Sequence, residues 1–224
     1  MDDRQKRVLI ARRIAQELAD GDVVNLGIGL PTLVGGFIPD GVNVTLQSEN
    51  GFVGLGPHPA PGEEDDDLVN AGGQPVTILP GGAFFDSADS FAIIRGGHVD
   101  VTVLGALEVD ARGNLASWMI PGKMVPGMGG AMDLVVGARR VIVGTTHLTK
   151  KGEPKLLKKC RLPLTAVEVV DLVVTEMAVI AVEQGTMTLL EKNPNYSVDA
   201  IRAATDAHLE LSLELRDMDL AGLM

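Results

Sequence analysis

The stretch that organises this chain reads Val42-Asn43-Val44-Thr45-Leu46-Gln47-Ser48-Glu49-Asn50-Gly51. Its first half alternates with a period of two and is rich in β-branched residues, which predicts a strand ending near Gln47. The pair Asn50-Gly51 predicts a sharp turn. Glu49 then lies just past the carboxyl end of a strand, where open α/β sheets form ligand sites. By spacing alone, a solvated acid in a surface turn is a more common explanation of Glu49 than a functional site.

The segment before this stretch predicts the start of a βαβ unit. Apolar residues recur with helical spacing over residues 3–20, and Gly21 follows as a stop signal. Residues 23–26 then predict a short buried strand, and Pro31 opens a helix after a glycine loop. A right-handed crossover would make the strands at 23–26 and 42–47 parallel.

The rest of the chain alternates strand and helix signals without a linker or an internal repeat. Pro80-Gly81-Gly82 is expected to close one of the strands. The remaining predicted elements are strands at 76–79, 101–109, 114–119 and 140–146, helices at 87–94, 131–138 and 198–205, and a hairpin of 178–182 with 187–190 around Gln184-Gly185. The predicted fold class is α/β, an open and mostly parallel sheet with helices on both faces, in a single domain over residues 1–224.

Composition argues against several classes of function. The 224 residues carry a formal net charge of −11, which disfavours a nucleic-acid binder because phosphate contacts need clustered Lys and Arg. The lysine cluster at 150–159 is interpreted as a solvated loop, with a grip on a polyphosphate-bearing cofactor as the alternative. Cys160 is the single cysteine, so no intramolecular disulfide or cysteine zinc cage is expected. Its basic neighbours could lower its pKa, yet a bystander thiol is expected.

The sequence shows no signal peptide and no apolar run of 18 residues, so the chain is expected to be soluble, cytoplasmic and not bound to a membrane. The acid run at 63–67 is interpreted as an exposed loop. No metal site is expected there, because a flexible loop lacks fixed oxygen geometry. His98 lies at a predicted helix-to-strand junction, where a structural hydrogen bond is expected.

Two glycine-rich segments are candidate ligand loops. Gly27-Ile28-Gly29-Leu30-Pro31-Thr32 matches part of a dinucleotide fingerprint, but Thr32 replaces the third glycine, so nicotinamide binding is not expected. The segment 121–134 is typical of a binding loop and contains Gly129-Gly130 just before the predicted helix. Backbone N–H groups there could face a carbonyl or an anion, or the glycines could serve only tight packing of loop against helix.

Five motifs in this order are similar to a known family. They are Asn25-Leu26-Gly27-Ile28-Gly29-Leu30-Pro31, Gln47-Ser48-Glu49-Asn50-Gly51, Arg95-Gly96-Gly97-His98, Trp118-Met119-Ile120-Pro121-Gly122-Lys123 and Gly127-Met128-Gly129-Gly130-Ala131-Met132-Asp133-Leu134. Together they resemble the B subunit of the 3-oxoacid CoA-transferases, the family I enzymes, over nearly the whole chain. The segment Thr145-Thr146-His147 departs from the pattern of the family, so no role is assigned to His147.

The resemblance implies that Glu49 is the catalytic nucleophile, which reverses the expectation from spacing alone. It implies ping-pong chemistry, in which Glu49 attacks a donor acyl-CoA to give an acyl-glutamyl anhydride, and CoA thiolate then forms a glutamyl-CoA thioester. A second carboxylate, such as acetoacetate, runs the steps in reverse. Asn25 and Gly130 match positions whose backbone N–H groups lie near the thioester carbonyl, where preorganised donors stabilise an oxyanion.

The resemblance also implies the surroundings of Glu49 and the partners of the chain. Pocket loops are expected at Gly27, Gly29, Asn50, Gly51, Gly127 and Gly129, without a metal. Coenzyme A enters in the acyl-CoA substrate and is not a permanently bound cofactor. A separate A subunit is expected to complete the site in an A2B2 hetero-oligomer. An acyl-CoA hydrolase and a noncatalytic acyl-CoA-binding module on the same scaffold are the alternatives.

Overall fold

The computed structural model describes residues 1–123 and 127–220. Its helices are α1 (Asp3–Ala15), α2 (Ser87–Arg95), α3 (Ala131–Gly137) and α4 (Val198–Ala203), with a 3₁₀ helix over Pro31–Phe37. Its strands are β1 (Val23–Leu26), β2 (Thr45–Ser48), β3 (Phe52–Leu55), β4 (Ile78–Phe84), β5 (Val101–Leu104), β6 (Glu108–Asp110), β7 (Leu115–Ala116), β8 (Arg140–Gly144), β9 (Leu156–Leu157), β10 (Leu172–Val174), β11 (Ala178–Glu183), β12 (Thr186–Lys192) and β13 (Leu209–Asp217). No helix within these two ranges is long and apolar enough to cross a membrane.

A ten-stranded sheet in the order β13-β12-β11-β10-β8-β5-β1-β2-β3-β4 forms the centre of the fold. Its five middle strands, β10 to β2 in this order, are all parallel, so their carboxyl ends lie at one edge. The predicted parallel pair of β1 and β2 is confirmed, with Asn25 opposite Gln47. Glu49 follows β2 at this carboxyl edge, as predicted from the sequence.

Helices cover both faces of the sheet, as predicted. Alternation along β1, β5 and β8 sends one set of side chains towards α1, where Ile14 packs with Val24 and Ile142. The other set faces α3 and α4, where Val141 and Ile201 belong to a second core cluster. Asn25 and Gln47 therefore face away from α1, on the side of the sheet that carries α2 and α3.

Several boundaries differ from the sequence expectations. Helix α1 ends at Ala15 instead of continuing to residue 20, because the N–H groups of Glu17 and Leu18 bond carbonyls three residues back. Pro80-Gly81-Gly82 was expected to close a strand, and this is wrong, since it lies inside β4. An edge strand with an irregular register tolerates proline, which cannot donate to a ladder. Strands β3, β9 and β13 were not predicted from the sequence, and residues 167–174, which contain β10, were ambiguous between helix and strand.

A buried polar cluster closes the carboxyl end of β8 around His147. Its Nε2 lies within hydrogen-bond distance of Thr205 Oγ1 at 2.9 Å, and the Thr205 hydroxyl donates to the main-chain oxygen of Ile201. Its Nδ1 bonds the Thr175 hydroxyl at 2.9 Å, and its backbone N–H donates to Glu176. Burial lowers the pKa of His147 from 6.5 to about 4, and the nearby Glu176 opposes this only in part. The neutral ring thus ties β8, the turn after β10 and α4 together.

We expect His147 to make the stability of the fold fall with acid. Because its pKa is about 4 when folded and 6.5 as an ordinary group, the unfolded chain binds the extra proton between these values, which costs about 3 kcal/mol of stability at most. The free energy of unfolding of the unsubstituted chain should exceed that of His147→Gln above pH 6.5, and this difference should shrink as the pH falls to 4. The exposed His98→Gln provides the matched control. A difference independent of pH would contradict the expectation.

An ion-pair network fastens α1 to the far end of the sheet. Arg13 Nε donates to Glu191 Oε2 at 2.7 Å, and Glu17 lies 2.7 Å from the same guanidinium. Arg216 of β13 bonds Glu191 from the other side. Burial alone would raise the pKa of Glu191, but the hydrogen bonds from Arg13 and Arg216 hold it below its usual value. Arg13 and Glu191 are buried, whereas Arg216 is mostly exposed. The Arg13–Glu191 pair therefore contributes more to the stability of the fold than the Arg216–Glu191 pair.

Glu191→Gln should destabilise the fold by about 1.5–3 kcal/mol, because it removes the charged acceptor of Arg13 Nε and leaves Glu17 as the remaining anion beside this guanidinium. The free energy of unfolding in urea measures this change. Glu183→Gln at the exposed end of β11 is the matched control and should shift stability by less than about 0.5 kcal/mol. Equal stabilities for the two variants would show that Glu17 alone suffices for Arg13.

Candidate active site

Glu49 lies in a three-residue turn between the antiparallel strands β2 and β3, where Ser48 pairs with Phe52. Gly51 closes the turn by donating its N–H to the Ser48 oxygen at 3.0 Å. It has φ 131°, and a Cβ there would lie 2.3 Å from the oxygen of Phe85. Only glycine fits this position, so the turn that presents Glu49 has a fixed conformation.

Three segments distant in sequence meet at the Glu49 side chain. Asn25 Nδ2, from β1, donates to Glu49 Oε2 at 3.1 Å. Gly130 lies at the N-cap of α3, and a Cβ on it would lie 3.3 Å from Glu49 Cγ and 3.3 Å from the ring of Phe91. The structure thus brings together the three residues that were predicted from the sequence to act on the thioester.

Asn25 meets Glu49 through its side chain, whereas the role expected from the sequence was one for its backbone N–H. The residue lies inside β1, opposite both Gln47 of β2 and Thr102 of β5. In that position the backbone of the strand serves the two ladders. The contact seen with Glu49 therefore depends on the carboxamide of Asn25.

A pocket of about 840 Å³ opens beside Glu49, within the range of small-molecule and cofactor sites. Glu49 borders it together with Gln47 and Ser48, the last residues of β2. The rest of the wall is mainly apolar and comes from the 3₁₀ helix, from β1 and β2, and from loops after β3 and before β4; it includes Leu26, Ile28, Leu33, Val44, Leu46, Leu55, Val76 and Leu79. A carboxylate at the wall of such a pocket can attack an electrophile bound there.

The two neighbours of Glu49 hold one wall of this pocket in place. Ser48 Oγ accepts from the backbone N–H of Ala71 at 3.1 Å. Asn50 Nδ2 donates to the oxygen of Val69 at 2.8 Å. Segment 69–71 is thereby attached to the turn on both sides of Glu49, and Asn50 uses its side chain for this attachment.

The predicted glycines have different surroundings. Gly27 is packed against β5, since a Cβ on it would lie 2.7 Å from the side chain of Leu104. Gly29, Gly127 and Gly129 are exposed and take positive φ, and a Cβ on any of them would have nothing within 4 Å. These three glycines serve turns of the chain. Residues 124–126 of the predicted binding loop lie outside the described residues.

The remaining candidates from the sequence lie apart from Glu49. In the lysine cluster, Lys155 donates to the hydroxyls of Thr145 and Thr146, while its four companions are exposed. Residues 63–67 and His98 are exposed as well. Nowhere in ranges 1–123 and 127–220 do three or more His, Cys, Asp or Glu side chains form a group suited to a metal ion.

The basic sequence neighbours of Cys160 do not lower the pKa of its thiol, which was the alternative to a bystander role. Burial, with Asp110 and Glu108 nearby, raises the pKa of this thiol to about 12. The backbone N–H of Cys160 donates to Asp110, while the adjacent residues Lys158, Lys159 and Arg161 are exposed. A thiol protonated at neutral pH is a poor nucleophile, which agrees with the bystander interpretation.

Two polar side chains behind Glu49 were not predicted from the sequence. Gln47 Oε1 accepts from Asn25 Nδ2 at 2.8 Å, and Gln47 Nε2 donates to Ser90 Oγ of α2 at 3.0 Å. Both residues are buried. Gln47 occupies a polar position of the alternation at the end of the predicted strand, and no pattern in the sequence connects it with Ser90, which is 43 residues further on.

Comparison with known proteins supports the family resemblance. The coenzyme A transferase family matches this chain over residues 7–204. The chain is 55% identical over 219 residues to the beta chain of the acetate CoA-transferase of Escherichia coli strain K12, covering 96% of this chain and 97% of that protein. It is 50% identical over 207 residues to the B subunit of the succinyl-CoA:3-ketoacid coenzyme A transferase of Helicobacter pylori strain 26695, covering 92% and 100% of the two chains.

A solved structure shares the fold. The acyl-CoA transferase of Escherichia coli O157:H7, in a thioester complex with CoA, superposes with a TM-score of 0.72 at 25% identity. The match covers 96% of this chain and 43% of that chain. Family match, relatives and fold agree with one another, and the chain belongs to the coenzyme A transferase family.

Proposed function

We propose that this chain is the catalytic subunit of a CoA-transferase that moves CoA from an acyl-CoA donor to a short-chain 3-oxo acid such as acetoacetate. The observation that carries the proposal is the position of Glu49, beside a pocket of about 840 Å³ and in contact with Asn25 Nδ2 at 3.1 Å. The names of the similar proteins, acetate CoA-transferase and succinyl-CoA:3-ketoacid CoA transferase, support this class of substrates.

Coenzyme A acts here as part of the substrate, and a second subunit completes the enzyme. The similar proteins are named as the beta or B member of their enzymes, which supports a partner of the A type and a hetero-oligomer of A2B2 composition. The mainly apolar pocket suits the acyl and pantetheine parts of the substrate, whose remote binding energy can be used at the reacting carbonyl. We place this enzyme in the cytoplasm.

The first half of the reaction loads CoA onto Glu49. The carboxylate attacks the thioester carbonyl of the donor, the C–S bond breaks, and CoA leaves as a thiolate from an acyl-glutamyl anhydride. The thiolate then attacks the carbonyl carbon of Glu49, the bond to the anhydride oxygen breaks, and the donor leaves as a carboxylate. Glu49 now carries CoA as a thioester, and no water has been consumed.

Asn25 is suited to the steps at the glutamyl carbon. While Glu49 is a free carboxylate, Asn25 holds Oε2 and leaves Oε1 as the attacking oxygen. When the thiolate attacks the glutamyl carbonyl, negative charge develops on the oxygen beside Asn25 Nδ2. One preorganised donor of this kind contributes about 3–4 kcal/mol to catalysis. The acceptor carboxylate reverses the steps and leaves as its CoA ester.

The covalent intermediate provides the direct test. The chain is co-expressed with its partner subunit, incubated with acetoacetyl-CoA and no acceptor acid, reduced with borohydride and digested for peptide mass spectrometry. We expect the thioester on Glu49 to be reduced to the corresponding alcohol. Glu49→Gln should lack this modification and lose activity by more than about 10³-fold, because an amide is a poor nucleophile. Glu183→Gln should behave like the unsubstituted enzyme.

Other outcomes separate the alternatives. Steady release of free CoA without an acceptor acid would identify an acyl-CoA hydrolase and contradict the transferase. Binding of acyl-CoA with neither turnover nor modification of Glu49 would identify a noncatalytic module. Full activity of Glu49→Gln would overturn covalent catalysis by this side chain.

Gly130→Ala should lower kcat by about 10- to 100-fold, because a displacement of the nucleophile by a fraction of an ångström misaligns the attack. The new methyl would lie 3.3 Å from both Glu49 Cγ and the Phe91 ring, so Glu49 has to move. Gly130 has φ −80°, which alanine adopts freely, so the melting temperature should change little. Steady-state kinetics and thermal unfolding measure both quantities. An unchanged kcat would show that Glu49 tolerates the shift.

A further inference from the structure

A row of buried polar side chains crosses the sheet behind Glu49. Gln47, Asn25 and Thr102 lie side by side in the register of β2, β1 and β5, and Ser90 of α2 packs next to Gln47. Gln47 is 3% exposed, and Asn25, Thr102 and Ser90 are completely buried. Burial of polar groups costs free energy that apolar side chains would not. Such a row in the middle of a sheet needs an explanation beyond packing.

In each hydrogen bond of this row the donor is a side-chain NH₂ group, of Asn25 or of Gln47. Asn25 Nδ2 donates to Gln47 Oε1 at 2.8 Å and to Glu49 Oε2 at 3.1 Å. Gln47 uses its other end, Nε2, to donate to Ser90 Oγ at 3.0 Å. A carboxamide has one donor end and one acceptor end, so reversing Asn25 would set its oxygen against those of Gln47 and Glu49. The oxygen of Gln47 thus requires the NH₂ group of Asn25 to face Glu49.

Other contacts do little to fix the Asn25 carboxamide. Within the described part of the chain its Oδ1 atom is buried without a hydrogen-bond partner, so nothing on the acceptor side holds the group. Its remaining bond, to the main-chain oxygen of Gln47, is long at 3.3 Å. The hydrogen bond to Gln47 Oε1 therefore determines the orientation of the Asn25 carboxamide. The hydrogen bond to Ser90 in turn holds the Gln47 side chain in place.

We propose that Gln47 and Ser90 are positioning residues that act on Glu49 through Asn25. The proposal builds on the function proposed above, in which Asn25 serves the steps at the glutamyl carbon. Gln47 sets which end of Asn25 faces Glu49, and Ser90 anchors the far end of the Gln47 side chain through one hydrogen bond. Their effect falls on the chemical steps at the glutamyl carbon.

Gln47→Met tests the proposal in the complex with the partner subunit. Methionine has a similar length but no acceptor for Asn25. We expect kcat to fall by about 10- to 100-fold while KM for acetoacetyl-CoA stays within about twofold, because the loss concerns orientation at the reacting group. Gln16→Met at the exposed end of α1 is the matched control and should keep the unsubstituted kcat. A raised KM with an unchanged kcat would overturn the proposal.

Ser90 tests the far end of the row and covers the case in which Gln47→Met does not fold. Ser90→Ala removes the acceptor for Gln47 Nε2 and should lower kcat by about 3- to 10-fold. Ser90→Thr keeps the hydroxyl and should restore kcat to within about twofold of the unsubstituted enzyme. Equal kcat values for Ser90→Ala and the unsubstituted enzyme would overturn the role of Ser90.

A double-mutant cycle decides whether Gln47 acts through Asn25. The readout is the rate at which the Glu49 thioester forms in a single turnover. In an Asn25→Leu background, Gln47→Met should cause no further loss, because the group that it orients is absent. Independent, multiplying losses would overturn the proposal. Absence of the Glu49 thioester in the unsubstituted enzyme would overturn the proposed function itself, whereas its formation at an unchanged rate in Gln47→Met overturns the positioning role alone.

Discussion

The contact between Asn25 and Glu49 depends on the register of two parallel strands. Asn25 lies opposite Gln47 in the β1–β2 pair, and Glu49 follows two residues later, where the chain turns back. A shift of β2 by one residue would move its side chains to the other face. Glu49 would then face away from Asn25 and from Gly130. The hydrophobic alternation that buries β1 and β2 between helices is thus also what aligns the reacting groups.

The hairpin turn gives each residue around Glu49 a separate task. Ser48 and Asn50 attach segment 69–71 to the turn, and Gly51 lets the chain pass close to Phe85. Glu49 is left to contact Asn25 and to border the pocket. A rigid turn is required here, because a carboxylate is a weak nucleophile and gains its reactivity from position.

The sequence predicted the features that depend on local patterns. These are the parallel strands β1 and β2, the helices on both faces, and Glu49 at a strand end with a glycine turn behind it. Features created by distant segments could not be predicted in this way. The pocket wall at 69–76 and the pairing of Gln47 with Ser90 arise only when the sheet forms. The same holds for Cys160, whose pKa is raised by burial and by Asp110, while its charged sequence neighbours point to solvent.

The position of Asn25 also distinguishes the two oxygens of Glu49. Oε2 receives the hydrogen bond from the buried side, so in the proposed mechanism Oε1 is the oxygen that forms the anhydride. The same donor then lies beside Oε2 when the glutamyl carbonyl is attacked, whichever acid is leaving or entering. In the proposed reaction, one fixed amide therefore serves both halves without rearranging. Because the Asn25 amide does not need to move, the centre of a sheet is a suitable place for it, although burial there costs a polar group free energy.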